Sequence, residues 1–357
     1  MESFVYVGAP ARVVFGSGAL GRLGEEIERL DARRALMLCT PSRRAEAESI
    51  AAQLGGRVVG VFDRAAMHVP MENARAARDE ARRLEADCAI AFGGGSTIGL
   101  GKAIALESPL PIVAIPTTYA GSEMTPIFGI TEGGAKRTGR DVRVLPRTVI
   151  YDPVLTLALP IATSITSGMN AIAHAAEGLY AQDRNPVTDL LAEEGIRAMA
   201  GGLPRLYARG DDLEARSDCL AGAWLCGTVL GAVGMALHHK LCHVLGGTFE
   251  LPHAETHTVV LPHAVAYNAH SAPHAARRIA RALGTTHAAS GLYDLAREHG
   301  APVSLREIGL AHDALDRAAD VAAANPYWNP RPVERDAIRA LLDDAWHGRR
   351  PRDDQTR

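Results

Sequence analysis

Residues 91–103 read AFGGGSTIGLGKA, an apolar run that meets three consecutive glycines and continues as a helical pattern. A buried strand ending on Gly93, Gly94 and Gly95 lets the backbone approach a phosphate closely. The helix start beyond it offers free N–H groups at the positive end of a dipole. Ser96 or Thr97 either caps that helix or bonds the phosphate. The pattern is neither GxGxxG nor a P-loop, and a tight strand-to-helix turn without a ligand would read the same way. A second strand end, PTTYAGSEMT at 116–125, is rich in hydroxyls and glycine. Two such turns at the carboxyl ends of parallel strands are where α/β sheets bind ligands. The expectation is a nucleotide site drawing on Gly93, Gly94, Gly95, Ser96, Thr97, Lys102, Thr117, Thr118, Tyr119 and Ser122.

Outward from this stretch, residues 1–153 alternate short apolar strands (FVYVG, RVVFG, RALMLCT, RVVGVF, CAIAFGG, PIVAIPTT, TVIYDP) with amphipathic helical patterns. Such alternation predicts a parallel sheet covered by helices. The first two strands, with Gly8 and Pro10 between them, read as a hairpin at the sheet edge. From 154 to 357 candidate strands vanish and helical periods dominate, with breaks expected at Gly201-Gly202, Gly210-Asp211, Gly246-Gly247 and Pro252. The fold class is thus an α/β N-terminal dinucleotide-binding domain plus an all-α C-terminal domain, with the boundary near 153. The tail after Trp346 is expected to fray.

Composition excludes several classes. With 357 residues, 47% hydrophobic, 22% charged and a net charge of -3, the chain has neither a polybasic nor a strongly acidic stretch. Nucleic acid and membrane surfaces are poor partners for such a chain. No signal-like start and no membrane-length apolar run is read, and Cys39, Cys88, Cys219, Cys226 and Cys242 form no CxxC pair. The expected setting is the cytoplasm. Lys occurs only as Lys102, Lys136 and Lys240 against a Lys plus Arg total of 38, and each lies in or beside a motif.

The chemistry concentrates in HHKLCHVLGGTFELPHAETHTVVLPH, residues 238–263. His239 and His243 are four apart and share a helix face, and His253 returns after a turn. Asn170 and His174 repeat the spacing in GMNAIAHAAEGLYA, residues 168–181. Two helical pairs and a returning histidine build either a metal site or an imidazole pocket for proton transfer. Asn170, a neutral residue where a metal site wants an anionic oxygen, decides between them. His257, His263, His270 and His274 are placed on the approach or the surface, without a role. Tyr327 and Arg331 in ANPYWNPRP, 324–332, and Lys136 are candidate substrate-binding residues.

In this order GGGS…K, PTTYAGSE, VIYDP, NAIAHAAE and HKLCHVLGG…LPHA…LPH resemble the iron-containing alcohol dehydrogenase family, whose fold is similar to that of dehydroquinate synthase. The likeness spans nearly the whole chain. It implies a nicotinamide held in a cleft between the domains, and a metal on positions matching Asn170, His174, His239 and His253, with His243 beside nicotinamide and substrate. Two departures stand out: Asn170 replaces the family's Asp, and Gly99 replaces the Asp of GGGSxxDxxK. GMNAIAHAAEGLYA and ANPYWNPRP are most similar to the branch that reduces the conjugated double bond of maleylacetate to 3-oxoadipate in aromatic-compound breakdown and works without metal.

That resemblance implies an NAD(P)H-dependent oxidoreductase, a homo-oligomer, read as a homodimer, with no metal and a small dicarboxylate substrate. His243, His253, His239, His174 and Asn170 would serve as its catalytic group. The proton donor is not assigned among the histidines, with His243 first. The alternatives are a zinc- or iron-dependent alcohol or polyol dehydrogenase on His174, His239 and His253, and a dehydroquinate synthase-like lyase using NAD transiently. For cofactor choice, RALMLCT runs into Thr40-Pro41-Ser42-Arg43-Arg44 rather than an acidic residue, so both NADH and NADPH are expected, with Thr40 and Pro41 in the site.

Overall fold

The computed structural model describes Tyr6, Gly8, 11–133 and 135–352, with backbone alone at 135 and 136. The chain divides into two compact units, one of Gly8–Leu159 and the other from Pro160 onward.

In the first unit the strands are β1 (Arg12–Phe15), β2 (Ala35–Leu38), β3 (Val58–Phe62), β4 (Cys88–Gly93), β5 (Ile112–Pro116), β6 (Ile127–Glu132), β7 (Ala135–Arg140) and β8 (Thr148–Tyr151). The helices are α1 (Leu23–Arg29), α2 (Arg44–Leu54), α3 (Met71–Arg83) and α4 (Gly95–Ala105). Among the described residues six strands form a sheet in the order β1-β8-β5-β4-β2-β3, every pair of it parallel. The strands are continuous apolar runs because both faces are covered. Along β2, Ala35 and Met37 enter one core with Ile90 and Phe92, while Leu36 and Leu38 enter the opposite core with Leu100 and Ile104 of α4.

Two expectations change here. β1 pairs in parallel with β8 at the sheet edge; of the FVYVG half of the expected hairpin only Tyr6 and Gly8 are described, neither in a strand, and the rest lies outside the described residues. A real hairpin is β6–β7, antiparallel from Ile127↔Arg140 to Glu132↔Ala135. Its turn carries Gly133 at φ +57, a left-handed position that glycine takes without strain.

The second unit is helical: α5 (Ile161–Gly178), α6 (Pro186–Ala208), α7 (Leu213–Ala232), α8 (Leu237–Phe249), α9 (His253–Ala269), α10 (Pro273–Leu283), α11 (Ala288–Glu298), α12 (Ala314–Ala324) and α13 (Arg335–His347). The expected breaks at Gly201-Gly202 and Gly246-Gly247 do not occur; both pairs lie inside helices. A Cβ at Gly202 would stand 2.5 Å from Cys219 Sγ on α7, so this glycine serves close helix packing rather than a turn. The α8–α9 break falls at Glu250, in the left-handed conformation at φ +56, and at Pro252, where it was expected, the residue before α9. The tail is also held further than expected. Tyr293 donates to Gly348 O at 2.7 Å, and Arg350 pairs with Asp294 at 2.6 Å. No single described helix is long and apolar enough to cross a membrane.

Candidate active site

On the first unit the β2–α2–β3 connection runs toward one sheet edge and β4–α4–β5 toward the other. The neighbouring ends of β2 and β4 therefore form the topological switch point where such sheets bind ligands. Gly93 holds φ +152, and a Cβ there would stand 2.5 Å from Thr97 Oγ1; at Gly94 it would meet Thr118 Cγ2 at 2.9 Å. Thr117 N donates to Gly93 O at 3.1 Å, joining the two turns. α4 begins without a side-chain cap, so its first N–H groups are suited to a pyrophosphate. Gly94, Gly95, Ser96, Thr118, Ser122 and Thr40 are partly exposed and Pro41 is exposed.

Other predicted cofactor residues turn inward. Neither Ser96 nor Thr97 caps α4, and Thr97, Thr117 and Tyr119 are buried. Lys102 is buried as well, and Nζ donates to the carbonyls of Ser122, Thr125 and Ile127 at 2.6, 2.8 and 2.8 Å. It organises the segment after the second turn rather than reaching a phosphate. Burial lowers its pKa to about 7, partly countered by Glu123. The three carbonyls around it favour the charged ammonium. Arg43 lies 5.5 Å over the Phe92 ring and pairs with Glu46, while Arg44 pairs with Glu48 and Asp63.

On the second unit α5 presents Asn170, His174 and Glu177 on one face at helical spacing. Glu177, which the sequence reading left without a role, organises the site. Its Oε2 accepts from Ala236 N at 2.9 Å and its Oε1 from His238 N at 2.7 Å, a carboxylate at the start of α8 where the dipole favours it. His239 Nδ1 donates to Oε2 at 2.6 Å. His239 Nε2 is then the acceptor for His174 Nδ1–H at 2.9 Å. Glu177 lies one turn beyond His174 on the same face of α5, but a carboxylate there reads equally well as a solvated residue until its partners on α8 are known.

Beneath this pair His238 Nε2 and His257 Nδ1 lie 2.9 Å apart, with Cys242 Sγ 3.7 Å from the former. His257 and His263, placed outside the core from sequence, are both buried. Burial first, then neighbouring histidines, pushes His238 and His257 well below the ordinary imidazole range, so both are neutral. His243 and His253 are exposed. The His253 ring lies 4.3 Å from that of His257, and the His243 ring 6.1 Å from that of His239. The result is a stack of imidazoles, wet at one end and dry at the other.

Tyr327 OH lies 3.0 Å from His243 Nδ1. Arg331, expected at the substrate, stacks 4.1 Å over the Tyr267 ring. Lys136 pairs by backbone with Thr131, and its side chain lies outside the described residues.

These donors do not fit a divalent iron site. Asn170 is neutral where such an ion wants an anionic oxygen, and the one nearby carboxylate, Glu177, is engaged by backbone N–H groups and His239. Asn170 Oδ1, buried, has no hydrogen-bond partner among the described residues, but a carbonyl oxygen alone does not supply the missing charge. The sulfur-containing set of His238, Cys242 and His257 fares no better. Burial and Glu177 push the Cys242 thiol well above its ordinary value, and its two imidazole nitrogens bond each other.

Residues 10–153 match the model of the iron-containing alcohol dehydrogenase family, and residues 164–346 match that of the family's C-terminal domain. The chain belongs to this family. Within it, a maleylacetate reductase of Burkholderia cepacia is 64% identical over 351 residues, 98% of this chain and 100% of the relative. The solved maleylacetate reductase of Agrobacterium tumefaciens superposes with a TM-score of 0.96 at 54% identity, covering 98% of this chain and 100% of that one. The corresponding structure from Rhizobium sp. gives 0.95 at 55% identity, with 98% and 100% covered.

Proposed function

We propose that this chain reduces the conjugated carbon–carbon double bond of maleylacetate to 3-oxoadipate with NADH or NADPH, without a metal. The observation that carries this reading is the hydrogen-bonded Glu177–His239–His174 chain beside a neutral Asn170. The names of relatives at 54–64% identity support it. When bound, the reduced nicotinamide supplies a hydride to the alkene carbon remote from the ketone, and the alkene electron pair moves onto the carbonyl oxygen as an enolate. Gly94, Gly95 and Ser96 would hold its pyrophosphate, with Thr40, Thr118 and Ser122 contributing to the same site.

The histidines complete the reaction. An imidazole N–H aimed at the enolate oxygen does the work of a Lewis acid, and such a donor contributes on the order of 3–4 kcal/mol. The carbon beside the carbonyl takes a proton from the His243 imidazolium, whose Nε2–H bond breaks while Nδ1–H stays bonded to Tyr327 oxygen. A neutral Asn170 leaves the pocket less negative toward a dianionic substrate. A cytoplasmic homodimer is part of this reading on composition and family alone.

The test is NADH and NADPH oxidation with maleylacetate against simple aldehydes and ketones, each with and without chelator. Turnover of maleylacetate unchanged by chelator is expected. A stoichiometric ion whose removal abolishes turnover would overturn the metal-free reading. A preference for one nucleotide beyond roughly a thousandfold, about 4 kcal/mol, would reject dual cofactor use.

A further inference from the structure

The segment 325–332 is fastened to α9 and touches α8. Asn329 and Asn268 exchange two side-chain hydrogen bonds at 2.7 and 2.9 Å, and Arg331 stacks on Tyr267. Thus anchored, the segment brings Tyr327 against two residues of α8 at once. Its hydroxyl meets His243 Nδ1 at 3.0 Å, and its ring face lies 5.5 Å from Lys240 Nζ. Lys240 and His243 are three apart on the helix and share a face. Hence an ammonium over the ring and an exposed imidazole at the hydroxyl both meet one phenol.

Lys240 is half-buried, and among the described residues no carboxylate pairs with it. That is unusual in a chain whose exposed arginines are widely paired, as in Arg335 with Asp316 and Asp320. A partly desolvated cation without a counter-ion is unfavourable until an anion reaches it. The compact ammonium leaning on an aromatic face keeps its outer hydrogens directed away from the ring.

We propose that Lys240 is the carboxylate anchor of the active site, pairing with one end of a dianionic substrate while His243, oriented by Tyr327, delivers the proton. This rests on the reductase reading above and adds a residue that decides which substrates are accepted. A carboxylate on Lys240 lies about one phenol ring from His243, so the anchored substrate presents a carbon near its own end to the imidazole. Tyr327 is a positioning residue for both groups.

The experiment compares wild type, Lys240→Met, Lys240→Arg and Tyr327→Phe in steady-state kinetics with maleylacetate. Calorimetric binding of succinate, a saturated dicarboxylate, serves as a second readout. Lys240→Met is expected to raise KM for maleylacetate and Kd for succinate at least tenfold, with KM for NADH and the melting temperature unchanged. Lys240→Arg should recover most of the loss. Tyr327→Phe should lower kcat about tenfold or more and raise its solvent deuterium isotope effect, since a misaligned donor makes proton delivery slower. Lys240→Met binding succinate within twofold of wild type overturns the anchor. Wild type that binds succinate through Lys240 yet leaves maleylacetate unreduced overturns the reductase reading and keeps the anchor.

Discussion

Glu177 accepts from two backbone N–H groups and from His239 Nδ1 in a site without water access to its carboxylate. Replacing it with Gln removes the charge, turns one end into a donor facing other donors, and frees His239 to change tautomer. Hydrogen bonds to a charged group contribute about 1.5–3 kcal/mol each, so Glu177→Gln should lower stability by about that amount. It should also lower kcat tenfold or more while leaving KM for NADH near wild type. Denaturant unfolding and steady-state kinetics check both, and unchanged values would remove Glu177 from the site. Asn170, His174, His239, His243 and His253 were legible as candidates because helical spacing is a one-dimensional property. Glu177 and His238 were not, because a carboxylate on an Ala-rich helix and a second adjacent histidine carry no spacing that marks them.

At the scale of elements, the turn between β4 and α4 joins a strained backbone to a bare helix start. Gly93→Ala forces a Cβ into Thr97 and an L-residue into φ +152, a conformation that costs on the order of 1–3 kcal/mol. A KM for NADH raised at least tenfold is expected, with KM for maleylacetate nearly unchanged; equal nucleotide KM values in mutant and wild type would show that the turn does not hold the cofactor. Strand and helix types were readable here from apolar runs bounded by glycine. The β6–β7 hairpin was not, because AKRTGR carries three cations and no large apolar residue, so its second strand shows no apolar pattern. Glycine pairs misled in the other direction: Gly202 marks contact with α7, and only the partner helix reveals that.

For the whole molecule, interior histidines set a pH limit. His263 is buried, and burial pushes it down from 6.5 to about 4, slightly opposed by Asp344. In the unfolded chain it protonates near 6.5, so between these values the unfolded state binds more protons and stability falls with pH. The contribution is fully present above about pH 6.5 and is lost as pH drops toward 4, about 3 kcal/mol for this residue. His238 and His257 act in the same direction. Urea unfolding at pH 7.5, 6 and 5 should show a steep decline, shallower in His263→Gln; a flat profile would mean these imidazoles are not kept neutral. His263 was expected near the surface because α9 scatters its polar residues round the circumference, and a helix without a distinct polar face gives no direction for any one residue.

Sequence alone determined the α/β-then-α order, the glycine turn between β4 and α4, and the family, since periodicity and motif spacing are local and survive without coordinates. Tertiary structure decided which imidazoles share protons, that Lys102 turns inward, and that Lys240 and His243 meet at Tyr327. Those contacts join residues 20 to 87 positions apart. Their existence depends on how helices and turns pack, a geometry that no spacing along the chain encodes.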